Sequence, residues 1–467
     1  MLYRKHNEGD AQPSRTATNG SVYLIAVAFA ALVCAASWPG FMSFDSIFAL
    51  SQARHGITTA GYPPMVSYLW RLTELVIPGQ GGMFALQNLL VFLGIAKFGR
   101  AAGASIWSIV AASVLVAIAP ATLGPMLVVW KDILFGGLLA LGAGFSAEFW
   151  QSGRRESMWL ALIMLVLGCT IRLNGIPAVL PLLFLIAWRS LRRFDLVRRT
   201  RALASVAATS LVAILSVGLV VALSMWRLPG LERMTEFAGA QNWLIVGDLT
   251  GISVCSNRNV LPVSFYPAQY QGDVRWLRTV YSPEHIQESF SSRNGKAALL
   301  ESGFIHADDL DQRWKDAVRS NPRCFLRHRA NLTKYLLGMN RGAVFYVTNP
   351  AVFTNDLGIA VHESELTRKT VGWVEGNAGS LLARVWVFVL AGILAVAWGL
   401  WRGRLRPISL AIFSSGMVYL LVDTVLLPAA DLRYQFWVVI SMVLTILSVM
   451  AVADPRLEAP AEPAAHG

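Results

Sequence analysis

The stretch Ser21–Arg54, SVYLIAVAFAALVCAASWPGFMSFDSIFALSQAR, decides how the rest of the chain is read. Residues 21–39 form an unbroken apolar run, and about 20 such residues are needed to cross the hydrocarbon core of a bilayer. The run ends at Trp38-Pro39-Gly40, and an acidic residue, Asp45, follows within a few positions. Asp favours helix starts, so one reading of Asp45 is a cap for a helix running to about Arg54. The other is a general base held at a membrane surface.

Working outward, comparable apolar runs recur at 82–99, 105–122, 131–150, 157–171, 176–189, 203–226, 381–401, 407–427 and 433–453. The segment 62–78 is apolar on one side but carries Arg71 and Glu74, so it reads as an interfacial or re-entrant helix. Across all 467 residues, 55% are hydrophobic and 15% charged. Soluble domains carry roughly 25% charged residues. The composition excludes an ordinary soluble enzyme, a disordered chain and a collagen-like fibre.

The net charge of +12 is concentrated in short segments between apolar runs. One alternate set of segments holds Arg4, Lys5, Arg15, Lys97, Arg100, Arg154, Arg155, Arg189, Arg192, Arg193, Arg198, Arg199, Arg201, Arg402, Arg404, Arg406 and Arg456. The other set holds Arg54, Arg71, Lys131, Arg172 and Arg433. The count is 17 against 5, and the positive-inside rule makes the first set cytoplasmic. The pattern is topogenic, and no zinc-finger or RNA-binding signature accompanies it to suggest nucleic acid.

The expected fold is therefore an α-helical polytopic membrane protein of about 10 transmembrane helices, with one mixed α/β extracytoplasmic domain before the last three helices. Residues 1–20 read as a cytoplasmic tail ahead of an uncleaved first span. Residues 21–226 read as a bundle with a first outer loop at 40–81. Residues 227–380 form the extracytoplasmic domain, 381–453 the C-terminal helices, and 454–467 a disordered cytoplasmic tail. Residues 307–338 read as helical, interrupted at Pro322. Cys34 and Cys169 lie in apolar runs and read as packing residues. Cys255 and Cys324 share the hydrophilic segment, where a disulfide is open on an oxidising side of the membrane.

With that orientation the polar residues at the span ends gather on one side: Asp45, the Tyr62-Pro63-Pro64 segment, Lys131-Asp132, Arg172 with Asn174, and Asp423 with Asp431 and Arg433. Ionisable groups at membrane depth are costly and mark pathways or sites. Each singly reads as an interfacial anchor; together they read as one shared cavity beneath the 227–380 domain. Other signals carry less. Asp308-Asp309-Leu310-Asp311 opens a helix. Gly136-Gly137 with Gly142 and Gly144 is a packing seam and not a phosphate loop. The seven histidines show no zinc spacing, so no metal site is expected.

The run Asp45-Ser46, Gln52, Tyr62-Pro63-Pro64 and Trp70 resembles the first outer loop of the GT-C class of polytopic glycosyltransferases. Trp130-Lys131-Asp132, Arg172-Leu173-Asn174-Gly175 and Asp431-Leu432-Arg433-Tyr434 fit the same pattern, as do Gly247–Ser253 and Asn321–Arg329. The resemblance covers most of the chain. It implies sugar transfer from a polyprenyl-phosphate-linked donor to a glycolipid, polysaccharide or protein acceptor on the outer face of the cytoplasmic membrane. Asp45 matches the loop carboxylate that acts as base. Where many members pair that acid with a second, this chain has Ser46, so no cofactor is required by the pattern and a divalent cation is left open. Negative charge grows on the departing lipid phosphate, so fixed cations should stabilise the transition state. Lys131, Arg172 and Arg433 are the candidates for donor phosphate binding, with pairing to Asp132, Asp423 or Asp431 as the alternative. Gln52, Tyr62, Asp132, Asn174, Asp431 and Tyr434 are expected to line the substrate cavity. The rival function is a transporter or lipid flippase with an ectodomain. Such proteins show internal repeats and broken helices near mid-membrane, and no repeat is visible here.

Overall fold

In the computed structural model the described residues are 15–55, 58–59, 63–192, 194, 197–225, 233–234, 240–266, 268–284, 310–360 and 363–451. Seven helices among them are long and apolar enough to cross a membrane, or eight if one bent pair counts as a single span. The chain is thus an α-helical multi-pass membrane protein. The first half supplies α1 (Arg15–Ser37), α4 (Gly81–Ala101), α7 (Lys131–Ser152), α8 (Arg155–Ile171), α9 (Ile176–Leu191) and α10 (Arg198–Met225). Two short helices, α2 (Phe44–His55) and α3 (Pro64–Glu74), separate α1 from α4, and α5 (Ile106–Ile118) with α6 (Pro120–Met126) separate α4 from α7.

The span expected near 105–122 is present as a bent pair of helices. The helix breaks at Ala119, and α5 and α6 meet at 68°. Pro120 causes the break: the residue before a proline is driven out of the helical region, and Ala119 sits at φ −68°, ψ 128°. The segments expected at 157–171 and 381–401 are helical, but each helix is only 17 residues long. Seven to eight helices among the described residues thus meet the length and apolarity of a full span.

Among the described residues of 227–380 the regular structure is helical apart from Arg233–Met234. That pair runs parallel to Thr58–Thr59, so the expected mixed α/β domain is not what these residues form. They form α11 (Ala240–Ser256), α12 (Val274–Val280), α13 (Leu310–Ser320), α14 (Pro322–Leu336) and α15 (Glu365–Gly376). The chain then returns to the bundle with α16 (Val385–Trp401), α17 (Pro407–Leu426) and α18 (Phe436–Met450). A disulfide joins Cys255 at the end of α11 to Cys324 in α14. Asp308, Asp309 and the tail 454–467 lie outside the described residues, and α1 already begins at Arg15 within the stretch read as a tail.

The core of the bundle is the α4–α7 seam. It is close because small residues face it: Gly94 lies against Ala140, Gly137 against Leu90 and Val91, and Gly144 against Lys97. Hydrophobic association is weak inside lipid, so close backbone approach supplies much of what holds such helices together. A Cβ at Gly137 would stand 2.9 Å from the Leu90 Cβ and 3.0 Å from the Val91 nitrogen. Gly137→Val is therefore expected to cost about 2–3 kcal/mol, in the upper part of the overpacking range. A melting curve of the purified variant that overlays the wild type would contradict this account of the seam.

Candidate functional site

The polypeptide brings Asp45 to the bundle through an extended segment. The Phe41 amide donates to the Leu127 carbonyl at 3.0 Å, and the Val129 amide donates to the Phe41 carbonyl at 2.9 Å. On the other edge the Met42 amide donates to Ala351 and the Phe353 amide to Met42. Side chains lock this crossing. Ser46 Oγ donates to the Val129 carbonyl at 2.5 Å, and Trp130 Nε1 donates to Ser43 Oγ at 2.8 Å. The buried Gln87 donates to the Val128 carbonyl and accepts from the Trp130 amide. Asp45 then falls in the first turn of α2, inside the helix and not at its cap. The capping reading of Asp45 is thereby corrected: its carboxylate is committed to a cation.

That cation is Arg433. Its Nη1 lies 2.7 Å from Asp45 Oδ2, and its Nε lies 2.8 Å from Asp431 Oδ2 and 3.9 Å from Asp132 Oδ2. Asp132 also pairs with Arg172. Arg172 Nε donates to Asn174 Oδ1 at 2.8 Å, and Asn174 Nδ2 donates to Asp423 Oδ1 at 3.0 Å. Gln435 Nε2 closes the chain by donating to Asp423 Oδ2 at 2.9 Å. Aromatic faces wall it: Arg433 stands 4.7 Å from the Trp130 ring centroid and 5.1 Å from Tyr434, and Arg172 stands 4.8 Å from Tyr434. Desolvated cation–π contacts of this kind are worth about 2 kcal/mol.

Local sequence explains the placement. Asp132 opens α7, Arg172 and Asn174 occupy the turn between α8 and α9, and Asp431 caps the 432–435 turn by accepting from the Arg433 amide. Each is a break where the backbone must reverse, and the breaks meet at one end of the bundle. The other end is chemically distinct. There Lys97 pairs with Glu148 at 2.8 Å, and Arg189 donates to the Trp150 carbonyl.

Of the residues expected in the site, Asp45, Asp132, Arg172, Asn174, Asp431, Arg433 and Tyr434 are brought together. Lys131 adjoins them at the head of α7, where its charge acts on Asp45. Gln52 is buried elsewhere; it accepts from Ser67 Oγ at 3.1 Å and helps hold α2 to α3. Tyr62 lies outside the described residues. Of the three candidate phosphate-binding cations, Arg172 and Arg433 are paired with carboxylates, the alternative given for them: Arg172 with Asp132, and Arg433 with Asp45 and Asp431. Trp130, Asp423 and Gln435 belong to the cluster as well. Asp423 stands among the polar residues gathered in the sequence, whereas Gln435, a polar residue near the start of the last apolar run, is an addition made by the structure.

Exposure separates the carboxylates. The Asp45 side chain is 34% exposed, against 3% for Asp132 and 9% for Asp431. Burial pulls Asp45 toward the neutral acid. Arg433, then Lys131 and Arg172, outweigh that pull and hold its pKa below the ordinary carboxylate value. Asp45 is therefore ionised at neutral pH and quenched as a base while Arg433 stays on it. Among the described residues no group of three or more His, Cys, Asp or Glu side chains is arranged to hold a metal ion. The Arg433 guanidinium already bridges Asp45 and Asp431.

A second buried hub couples the 240–336 helices to this end. Asp248 on α11 accepts from Arg329 Nη2 at 2.6 Å and from Trp314 Nε1 at 2.9 Å. Arg329 Nη1 donates to the Leu427 carbonyl at 2.7 Å, four residues before Asp431. His328 packs on Gly251, where any Cβ would strike its ring, and its Nδ1 is 2.8 Å from the Tyr281 hydroxyl. Burial, aided by the Arg329 charge, pushes the His328 imidazole down to about 3. Burial pushes Asp248 up, against Arg329 and Trp314.

Comparison of the chain with protein-family models, with curated proteins and with solved structures returned no match.

Two predictions test these networks. Asp132→Ala strands Arg172 without its carboxylate, and breaking a buried pair typically costs about 3–5 kcal/mol. Thermal unfolding should shift down accordingly, whereas the wild-type midpoint would mean water already screens the pair. For His328 the folded pKa lies below the unfolded value near 6.5, so the unfolded chain binds the extra proton between them. Its contribution to stability is complete above about 6.5 and is lost as the pH falls toward about 3, by up to about 1.4 kcal/mol per pH unit. The raised Asp248 works in the opposite sense. The opening free energy of the α11 and α14 amides, taken from hydrogen exchange after division by the intrinsic rate at each pH, should fall over that window as the pH is lowered, and His328→Gln should flatten the dependence. Equal acid sensitivity in the variant would assign it to other groups.

Proposed function

We propose that the protein is an integral membrane glycosyltransferase of the GT-C type. It moves a hexose or pentose from a polyprenyl-phosphate donor to a cell-envelope acceptor at the outer face of the cytoplasmic membrane. In this reading the chain crosses the membrane ten times, with α8, α16 and the bent α5–α6 pair completing the count. Residues 227–380 lie outside. The Cys255–Cys324 disulfide supports that side, because disulfides persist in oxidising compartments.

The observation that carries the proposal is the graded exposure of one ion cluster. Asp45 alone among its carboxylates is a third exposed, and behind it stand two arginines within a wall of aromatic rings. A base must reach an acceptor hydroxyl, and a cation must reach the departing phosphate.

The chemistry follows from partner exchange. The donor phosphate competes with Asp45 for the Arg433 fork, to which phosphate binds in a bidentate manner. As Arg433 turns to the phosphate, Asp45 loses its counter-charge and regains basicity. Its carboxylate takes the proton of the acceptor hydroxyl, and the hydroxyl oxygen bonds to the anomeric carbon. The bond from that carbon to the phosphate oxygen breaks, and its electron pair leaves with the lipid phosphate. Arg433, with Lys131 and Arg172 nearby, stabilises the charge that develops there. Asn174, Asp423 and Gln435 hold Arg172 in place. The chain's residues supply both proton acceptor and cation, and a divalent ion is a separate matter for a chelator titration.

The test is deletion of the gene in its host and complementation with wild type or Asp45→Asn, followed by mass spectrometry of envelope glycolipids and polysaccharides. Loss of one sugar unit, restored by wild type and not by Asp45→Asn, is the expected result. A fall of at least about 100-fold in transfer is expected of the variant, within the range typical of general-base removal. It should insert and keep its disulfide. A fully active Asp45→Asn would remove the base assignment, and an unchanged envelope would favour the transport reading.

A further inference from the structure

A groove of about 610 Å³ opens on the side of the bundle between α1 and the bent α5–α6 pair. Phe29, Leu32 and Ala36 form one wall, Val114 and Ile118 the other, with Leu123 of α6 beyond the bend. The break at Pro120 makes room for it. Because α6 leaves the line of α5 at 68°, α5 does not run on beside the last turn of α1. Helix α15 forms the rim with Lys369, Thr370 and Trp373. Trp373 Nε1 donates to the Ile118 carbonyl at 3.0 Å, which pins α15 over the break.

The walls identify what fills the groove. One is a helix long and apolar enough to span, and the other is the bent pair that passes the same test. Leu32, Val114 and Ile118 are exposed on them, so bilayer hydrocarbon is the solvent at this opening. From Phe29 to Ala36 the wall rises about 10 Å, out of the roughly 15 Å that one leaflet supplies. The polar groups are confined to the α15 end, where a tryptophan and a lysine mark the membrane–water interface. Lys369 has Glu365 at 3.4 Å, and both side chains are well exposed. Such a pair contributes little, so a phosphate can take the ammonium from it. An apolar length with a cationic mouth matches an amphiphile. Along both walls the buried crossing comes before the ion cluster: Ser37 Oγ and the Phe41 amide both donate to the Leu127 carbonyl, ahead of Asp45 on one strand and Trp130 on the other. That crossing separates the groove from Arg433.

We propose that this groove holds one phospholipid of the adjoining leaflet, with an acyl chain between α1 and α5 and its phosphate at Lys369, separate from the lipid donor of the transfer reaction. Lipid tails are as apolar as the walls, so close packing and the headgroup contact hold the molecule in place. The chain fills the gap left by the bend and wedges α1 against α5, beneath the loop that carries Asp45.

The test uses the full-length protein in mild detergent. Native mass spectrometry reads retention of added phosphatidylglycerol against a diacylglycerol with the same chains, which lacks the phosphate. Wild type should retain one phosphatidylglycerol per chain and favour it by about fivefold, the contribution of one lysine beside an anionic phosphate. K369Q should lose that preference. L32W/V114W, which fills the groove from lipid-facing positions, should lose both ligands at an unchanged melting temperature. Undiminished retention in a folded L32W/V114W overturns the proposal, as does a preference for phosphatidylglycerol that survives K369Q. Should L32W/V114W unfold, wild type is labelled with phosphatidylglycerol carrying a photoactivatable acyl chain. Crosslinks should concentrate in residues 29–36 and 114–123, and labelling spread evenly over the other lipid-facing helices would leave only annular lipid. Displacement of the bound phosphatidylglycerol by an equimolar polyprenyl phosphate would make the groove the donor's own chain site and overturn its independence from the reaction.

Discussion

The shared guanidinium of Arg433 is the interaction on which the rest of this end of the molecule depends. It is nearly buried, and it touches Asp45 from the first loop and Asp431 from its own turn, with Asp132 of α7 at the edge of reach. Taking an ion out of water costs several kcal/mol, and excellent geometry is required to recover it. The three chain breaks that supply these groups are consequently not free to move independently. The extended crossing at Phe41–Met42 and the hydrogen bonds of Ser46, Gln87 and Trp130 set the distance at which Asp45 meets the arginine.

The same constraint explains why the neighbouring amides are where they are. Arg172 and Asp423 both need partners in surroundings that offer little water, and Asn174 bridges them by accepting from one and donating to the other. Gln435 serves the second oxygen of Asp423. A buried polar network of this kind is stabilising only when its members are matched, and a single deletion exposes the desolvation cost of what remains. Rigidity and function are then linked. An incoming anion has to replace an existing carboxylate on a cation, so the site exchanges partners within a pre-formed frame.

A separate device carries this frame into the hydrophilic region. Arg329 reads in two directions, to Asp248 inside the helical cluster and to Leu427 at the end of α17. The disulfide between Cys255 and Cys324 holds the two helices that present Asp248 and Arg329. The turn bearing Asp431 and Arg433 is thus braced from both sides.

The membrane class, the positions of the apolar helices and the gathering of Asp45, Asp132, Arg172, Asp431 and Arg433 were legible in the sequence. Hydrocarbon imposes a length and an apolarity on every span, and it tolerates charges chiefly at the ends, so both leave a one-dimensional trace. The bend at Ala119–Pro120 had a local signal in the proline itself. The pairing was decided by tertiary structure alone. Whether Arg433 faces Asp45 or open solvent, and whether Gln52 joins the cluster or packs beside Ser67, depends on how helices far apart in sequence rotate against one another. The Gly94–Ala140 and Gly137–Leu90 contacts set that rotation for α4 and α7. Apolar content and residue spacing say that such helices associate; only the close fit of particular small and large side chains says at which angle they do so.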